Sequence, residues 1–150
     1  MKLVKFLAAF AACALLFGCA KKNSASKTVR IGIAKIVQHP ALDAVEQGIT
    51  DVVNENGFNA EYDYQNANGD VNTAAQIALK YKDERVDVAV GIATPVALAL
   101  ATTIKDIPIV FGTVTDPVGA GLVSSIDKGE NNVCGMSDAI PSEQHIALFK

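Results

Sequence analysis

The chain has 150 residues, 50% of them hydrophobic, and carries a formal charge of −3 at neutral pH. That is enough apolar material for one packed domain. A mildly acidic chain without any basic stripe argues against nucleic acid as a partner.

Residues 1–18 come first, and they read as an export signal. Lys2 and Lys5 form a short basic head, Phe6 to Phe17 is an uncharged apolar run, and Gly18 stands directly before Cys19. That order describes a lipoprotein signal peptide cut before Cys19, whose cysteine then carries lipid (palmitate or a similar chain). The run is too short for a comfortable membrane span, which takes about 20 apolar residues. The expectation is therefore an extracytoplasmic protein held to a bacterial membrane surface. Removing residues 1–18 leaves 132 residues and, with Lys2 and Lys5 gone, moves the formal charge from −3 to −5. Cys13 leaves with the signal and Cys19 is the lipid site, so Cys134 has no partner for a disulfide. No paired Cys/His spacing suggests a metal site, and nothing calls for a cofactor.

Residues 19–27 are polar and rich in Ser and Lys, as a flexible tether would be. From Thr28 onward strand and helix patterns alternate. Val29 to Ala34 is a β-branched first strand. His39-Pro40 precedes a helix whose apolar positions are Leu42, Val45, Ile49, Val52 and Val53, and Gly57 stops it. Ala60, Tyr62 and Tyr64 alternate as in a half-buried strand. A turn-rich loop at Asn66 to Asp70 leads to a helix from about Val71 to Lys82. Val86 to Ile92 predicts a third strand, and Thr94-Pro95 opens an alanine-rich helix to about Thr103. Ile107 to Phe111 predicts a fourth strand, Pro117 to Val123 a short glycine-broken helix or turn, and Val133 to Met136 a fifth strand. The alternation predicts an α/β fold: an open parallel sheet with helices on both faces. The domain is expected to span residues 28–137. Residues 141–150 read as a helix that has just begun, with Ile146, Leu148 and Phe149 apolar and in want of a partner.

In such a sheet, ligands bind beyond the carboxyl ends of the strands. Those ends are Lys35 to Pro40, Ala93 to Pro95, and Gly112 to Pro117. Thr94, placed at the N-cap of its helix, either satisfies that helix or leaves amides free for an anion; the two roles are compatible. Asp116, before Pro117, reads from spacing more readily as a turn or cap aspartate than as a contact for an ammonium group. His39 reads as a loop residue or a polar contact at the cleft lip, and His145 as an exposed helix residue. Ser137-Asp138 is either a turn or the crossover itself. Gly119-Ala120-Gly121 lacks the spacing of a phosphate loop. A hydrolase is disfavoured, because there is no G-x-S-x-G elbow and no plausible base.

Several of these segments together resemble a known family. Ile33 to Asp43, Val90 to Pro95, Ile107 to Phe111 with Thr115 to Val123, and Gly135 to Asp138 resemble, in order and spacing, motifs of the substrate-binding lipoproteins of the tryptophan/tyrosine ABC-transporter type. The resemblance runs from about Val29 to Lys150. It implies a two-lobed type I periplasmic-binding-protein fold that holds an amino acid, aromatic in kind, in its cleft for ABC permease subunits; this sequence would carry the first lobe, with residues 138–150 starting the crossover helix toward a second lobe that it lacks. It also implies that Thr94 and Asp116 meet the carboxylate and ammonium ends of the ligand. Ile36, Gln38, His39, Ala93, Thr115, Ser137 and Asp138 would line the rim. An extracytoplasmic sensor of similar fold, signalling to a membrane kinase, is the competing expectation.

Overall fold

The computed structural model describes residues 28–139. The expected signal peptide, Cys19, the expected tether through residue 27 and all but the first two residues of the helix expected at 138–150, with His145, lie outside the described residues.

Five strands form one sheet in the order β2-β1-β3-β4-β5: β1 Val29–Lys35, β2 Ala60–Asn66, β3 Val88–Ile92, β4 Ile109–Val114 and β5 Val133–Ser137. Every neighbouring pair is parallel. Helices α1 Pro40–Glu55, α2 Val71–Glu84 and α3 Thr94–Thr103 make the first three crossovers. The chain steps one way from β1 to β2 and the other way from β2 onward. Right-handed crossovers therefore put α1 on one face and α2 and α3 on the other.

The two faces have separate cores. Leu42, Val45, Ile49 and Val53 of α1 pack on Ile31, Ile33, Val90 and Ile92. On the opposite face Ala74, Ile77, Ala78 and Tyr81 of α2 meet Val96, Ala97 and Leu100 of α3, together with Ile109, Phe111 and Val114. Tyr81 is fully buried against the Cα of Gly32, and its hydroxyl donates to the Asp63 carbonyl at 2.9 Å. Burial pushes its phenol pKa far up, with the charges of Asp63 and Glu84 adding to the effect. Gly91 lets α3 approach β3, since a Cβ there would lie 2.9 Å from the Ala97 Cα.

Local chemistry explains the helix ends. His39 is the N-cap of α1, accepting from the Ala41 amide at Nδ1 (3.2 Å), and Pro40 takes the first helical position. Asp70 caps α2 through the Asn72 amide at 2.8 Å, and Arg85 ends that helix in the left-handed region.

Two strands sit later than expected. β3 starts at Val88, because the Val86 amide is taken by the Tyr81 carbonyl as the chain leaves α2. β4 starts at Ile109: Pro108 has no amide to give, although its carbonyl accepts from Ala89. β4 then runs on to Val114. The stretch after it, residues 115–132, holds turns and no helix, and buries Leu122 and Val123 against the α2/α3 face.

Candidate functional site

All strands point the same way, so their carboxyl ends share one edge of the sheet. Ile36, Gln38 and His39 follow β1; Ala93 and Thr94 follow β3; Thr115 and Asp116 follow β4; Ser137 and Asp138 close β5. The expected site residues are thus brought to one continuous rim. Its centre is the gap between β1 and β3. The helices leaving those two strands pass to opposite faces, which is where open α/β sheets leave a crevice.

The joint between β3 and α3 is unusually short. Ile92 ends the strand and Thr94 starts the helix, so Ala93 alone connects them, against roughly 2–6 residues in most βα loops. Ala93 meets this demand at φ 79°, ψ 152°, a region glycine ordinarily occupies. Its amide donates to the Gly112 carbonyl at 3.0 Å, locking the joint to β4. The N-cap is therefore Ala93 and not Thr94, which is the first helical residue and makes no side-chain cap bond. The expected cap fails because a single connecting residue leaves no room for an extended one. The opening turn, with Pro95 second, has no capping side chain, so the Thr94 and Val96 amides lack an intrahelical acceptor.

The end of β4 is irregular as well. Thr113 has φ 56°, and the β4–β5 register breaks between Phe111 and Val114. Beyond it, Asp116 folds back over its own turn: Oδ1 accepts from the Gly119 amide at 2.7 Å, and the carboxylate lies so close to Gly119 that a Cβ there would collide with it. The turn role read from Asp-Pro spacing is what the geometry displays. Ser137 ties β5 to the same corner, its hydroxyl donating to the Thr115 carbonyl at 3.0 Å and accepting from the Ala139 amide at 3.0 Å.

The β1 end is fixed by charge. Lys35, with 12% of its side chain exposed, reaches Asp43 at 2.6 Å and Glu46 at 3.1 Å on α1. Burial alone would lower the Lys35 pKa. The hydrogen bonds and charges of the two carboxylates outweigh it and raise the pKa above the ordinary lysine value. The triad clamps the first turns of α1 to the strand end and so sets the path of Ile36 to His39.

Two parts of the rim were not singled out as site residues from the sequence. The loop after β2 is bound to β1 by the Ala67 amide on the Lys35 carbonyl (2.9 Å) and the Gly69 amide on the Ile36 carbonyl (2.7 Å), which brings Asn68 to the edge. The Asn-rich composition of that loop was the available signal. Thr113 is the other. Its place inside an apolar strand pattern gave no signal at all. A groove of about 490 Å³ touches the rim at Thr94 and Pro95, but it runs down the side between α2 and α3 past Leu98 and Thr102, away from the crevice. Among the described residues there is no cluster of metal-ligating side chains, and no helix is long and apolar enough to cross a membrane. Cys134 is free and exposed.

The sheet and its rim are those of one α/β lobe of a ligand-binding protein. The chain belongs to the family of ABC transporter substrate binding proteins, whose pattern it matches over residues 30–150. It is 39% identical over 134 residues to a tyrosine-binding protein of Clostridioides difficile, covering 87% of this chain and 39% of that one. A conserved domain protein from Vibrio cholerae superposes with a TM-score of 0.80 at 48% identity, over 83% of this chain and 43% of its own. An ABC domain from Streptococcus pneumoniae in complex with L-Trp superposes with a TM-score of 0.78 at 37% identity, over 82% and 43%. The chain thus spans about two-fifths of the length of these relatives.

Proposed function

We propose that the chain supplies the amino-terminal lobe of a solute-binding lipoprotein of an ABC importer, which captures an aromatic amino acid and passes it to membrane permease subunits. The observation that carries this reading is the family match over residues 30–150, joined to a 37% identical structure that holds L-Trp. The activity is capture and release; no bond of the solute is made or broken. The carboxylate of the amino acid meets the opening turn of α3, where Thr94 offers an amide, a hydroxyl and the positive end of the helix. The ammonium group meets Asp116, whose Oδ1 already serves its turn and whose Oδ2 is left for the ligand. Ile36, Gln38, His39, Ala93, Thr115, Ser137 and Asp138 shape the rest of the rim. A second lobe closes over it, following the crossover that starts at residue 138. Lipid on Cys19 and the tether at 20–27 keep this machinery at the outer side of a bacterial membrane.

Calorimetric titration of the protein as the cell makes it against tryptophan, tyrosine and phenylalanine tests the reading. Saturable binding of at least one is expected. Failure of all three to bind removes the aromatic amino acid as the solute. Radiolabelled palmitate incorporation, lost in Cys19→Ala, tests the anchor; label retained in that variant removes Cys19 as the lipid site.

A further inference from the structure

Thr113 combines an outlying backbone, at the β4–β5 register break, with a hydroxyl that has no partner among the described residues. It lies within β4, yet its backbone is at φ 56°, a conformation in which a β-branched residue is a genuine outlier and glycine is the usual occupant. The chain places glycine on either side of β4's centre elsewhere, at Gly91 and Gly135, where close approach requires it. At this position it keeps a branched hydroxyl side chain instead. The side chain is half-buried, and its Oγ1 has no hydrogen-bond partner among the described residues. Thr113 also stands one position past Gly112, which pairs with Ile92, so its neighbour across the rim is Ala93, the other left-handed non-glycine residue at the centre of this edge. The Ala93 amide on the Gly112 carbonyl joins the two directly.

An unfavourable backbone that persists with an unused hydroxyl at a ligand-binding edge is a sign of function rather than of packing. We infer that Thr113 is a ligand-contacting residue, which gives one hydrogen bond from Oγ1 to the polar head of the bound solute, beside the opening turn of α3. Its left-handed backbone and the register break take the side chain out of the strand's regular alternation. This inference rests on the amino-acid-binding reading above and adds a residue to it.

The experiment is calorimetry with the same three amino acids, run with thermal unfolding, on the protein as the cell makes it and on four variants. Thr113→Gly relieves the backbone and removes the hydroxyl. We expect affinity for the bound amino acid to fall about tenfold, while Tm holds or rises by about 2–4 °C. Thr113→Ser, which restores the hydroxyl, should return affinity to within about threefold of wild type, and Thr113→Val should lose as much as glycine does. Arg85→Gly, at a left-handed helix end on the opposite edge of the sheet, should leave affinity unchanged. Thr113→Gly with wild-type affinity overturns the inference while leaving the amino-acid reading intact. So does a loss of affinity that follows a falling Tm and that serine fails to restore. A wild-type protein that binds none of the three amino acids overturns the reading itself, and the inference with it.

Discussion

The two edges of the sheet differ in how their helix and strand ends are finished. At the amino edge, polar groups are matched within the chain. Asp87 accepts from the Arg30 amide, the Arg30 guanidinium reaches the Glu84 carbonyl at 2.8 Å, and the Asn132 side chain donates to the carbonyls of Ile104 and Ile107 at 3.2 and 2.7 Å. At the carboxyl edge, Ala93 and Thr113 hold backbones that cost on the order of 1–3 kcal/mol each, and α3 begins without a side-chain cap. Both edges carry internal bonds, those of Lys35, Asp116 and Ser137 at the carboxyl edge included, and Arg85 and Asn131 hold left-handed backbones at the amino edge. What distinguishes the carboxyl edge is that its left-handed residues, Ala93 and Thr113, stand beside an uncapped helix start, the pattern expected where a partner from outside completes the bonding.

That contrast can be broken experimentally. The largest effect should come from Tyr81→Ala, which empties the core between α2 and β1 and removes the bond to the Asp63 carbonyl. We expect a loss of about 3–5 kcal/mol in denaturant unfolding, enough to blur both edges together. Asn132→Ala separates them: losing two carbonyl contacts at the amino edge should cost about 1–2 kcal/mol with no change in affinity measured by calorimetry. Thr94→Val does the converse. It caps nothing, so Tm should move little, while amino-acid affinity drops about tenfold. If Asn132→Ala weakened binding, or if Thr94→Val unfolded the lobe, the division between edges would fail.

The smallest effect is one of pH. Hydrogen bonds from the Asn72 amide and Thr73 hold the Asp70 carboxyl below its usual range. For Asp63, burial pushes upward but hydrogen bonds from Lys80 and Gln65 prevail and lower it. A carboxylate depressed in the folded state contributes stability that is complete above its unfolded pKa, about 4, and that is lost as pH falls through the lower folded value. Tm should therefore decline on acidification below about pH 4, and Asp70→Asn should make that decline shallower. An identical slope in the variant would show that the α2 cap does not couple to pH.

Much of this was readable in advance, and the residues show why. The alternating pattern gave the parallel sheet with helices on both faces, because covered strands such as Ile31 to Ile33 and Val88 to Ile92 are nearly continuous in apolar residues. Helix starts at Pro40 and Val71 were visible in His39-Pro40 and in the turn-rich loop that ends at Asp70. Thr94 was misplaced by one position, since nothing in Ala93 announces a one-residue joint. β4 was read two residues early and stopped short, because an amide missing at Pro108 shifts its start and a threonine carries it past Gly112 where the local pattern suggests an end. The rim was found from topology. Its irregularities were not, because the left-handed backbones of Ala93 and Thr113 leave no imprint on hydrophobic periodicity.

The single-residue joint at Ala93 has a mechanical consequence. A longer loop could flex and let α3 drift while the sheet stayed still. Here the strand, the joint and the helix are rigidly coupled, pinned below by the close contact of Gly91 with Ala97 and sideways by the amide bond to Gly112. Any load on the opening turn of α3 is therefore passed to β3 and β4 as one piece. The joint behaves as a lever without slack, and bending of the lobe has to occur elsewhere in the chain.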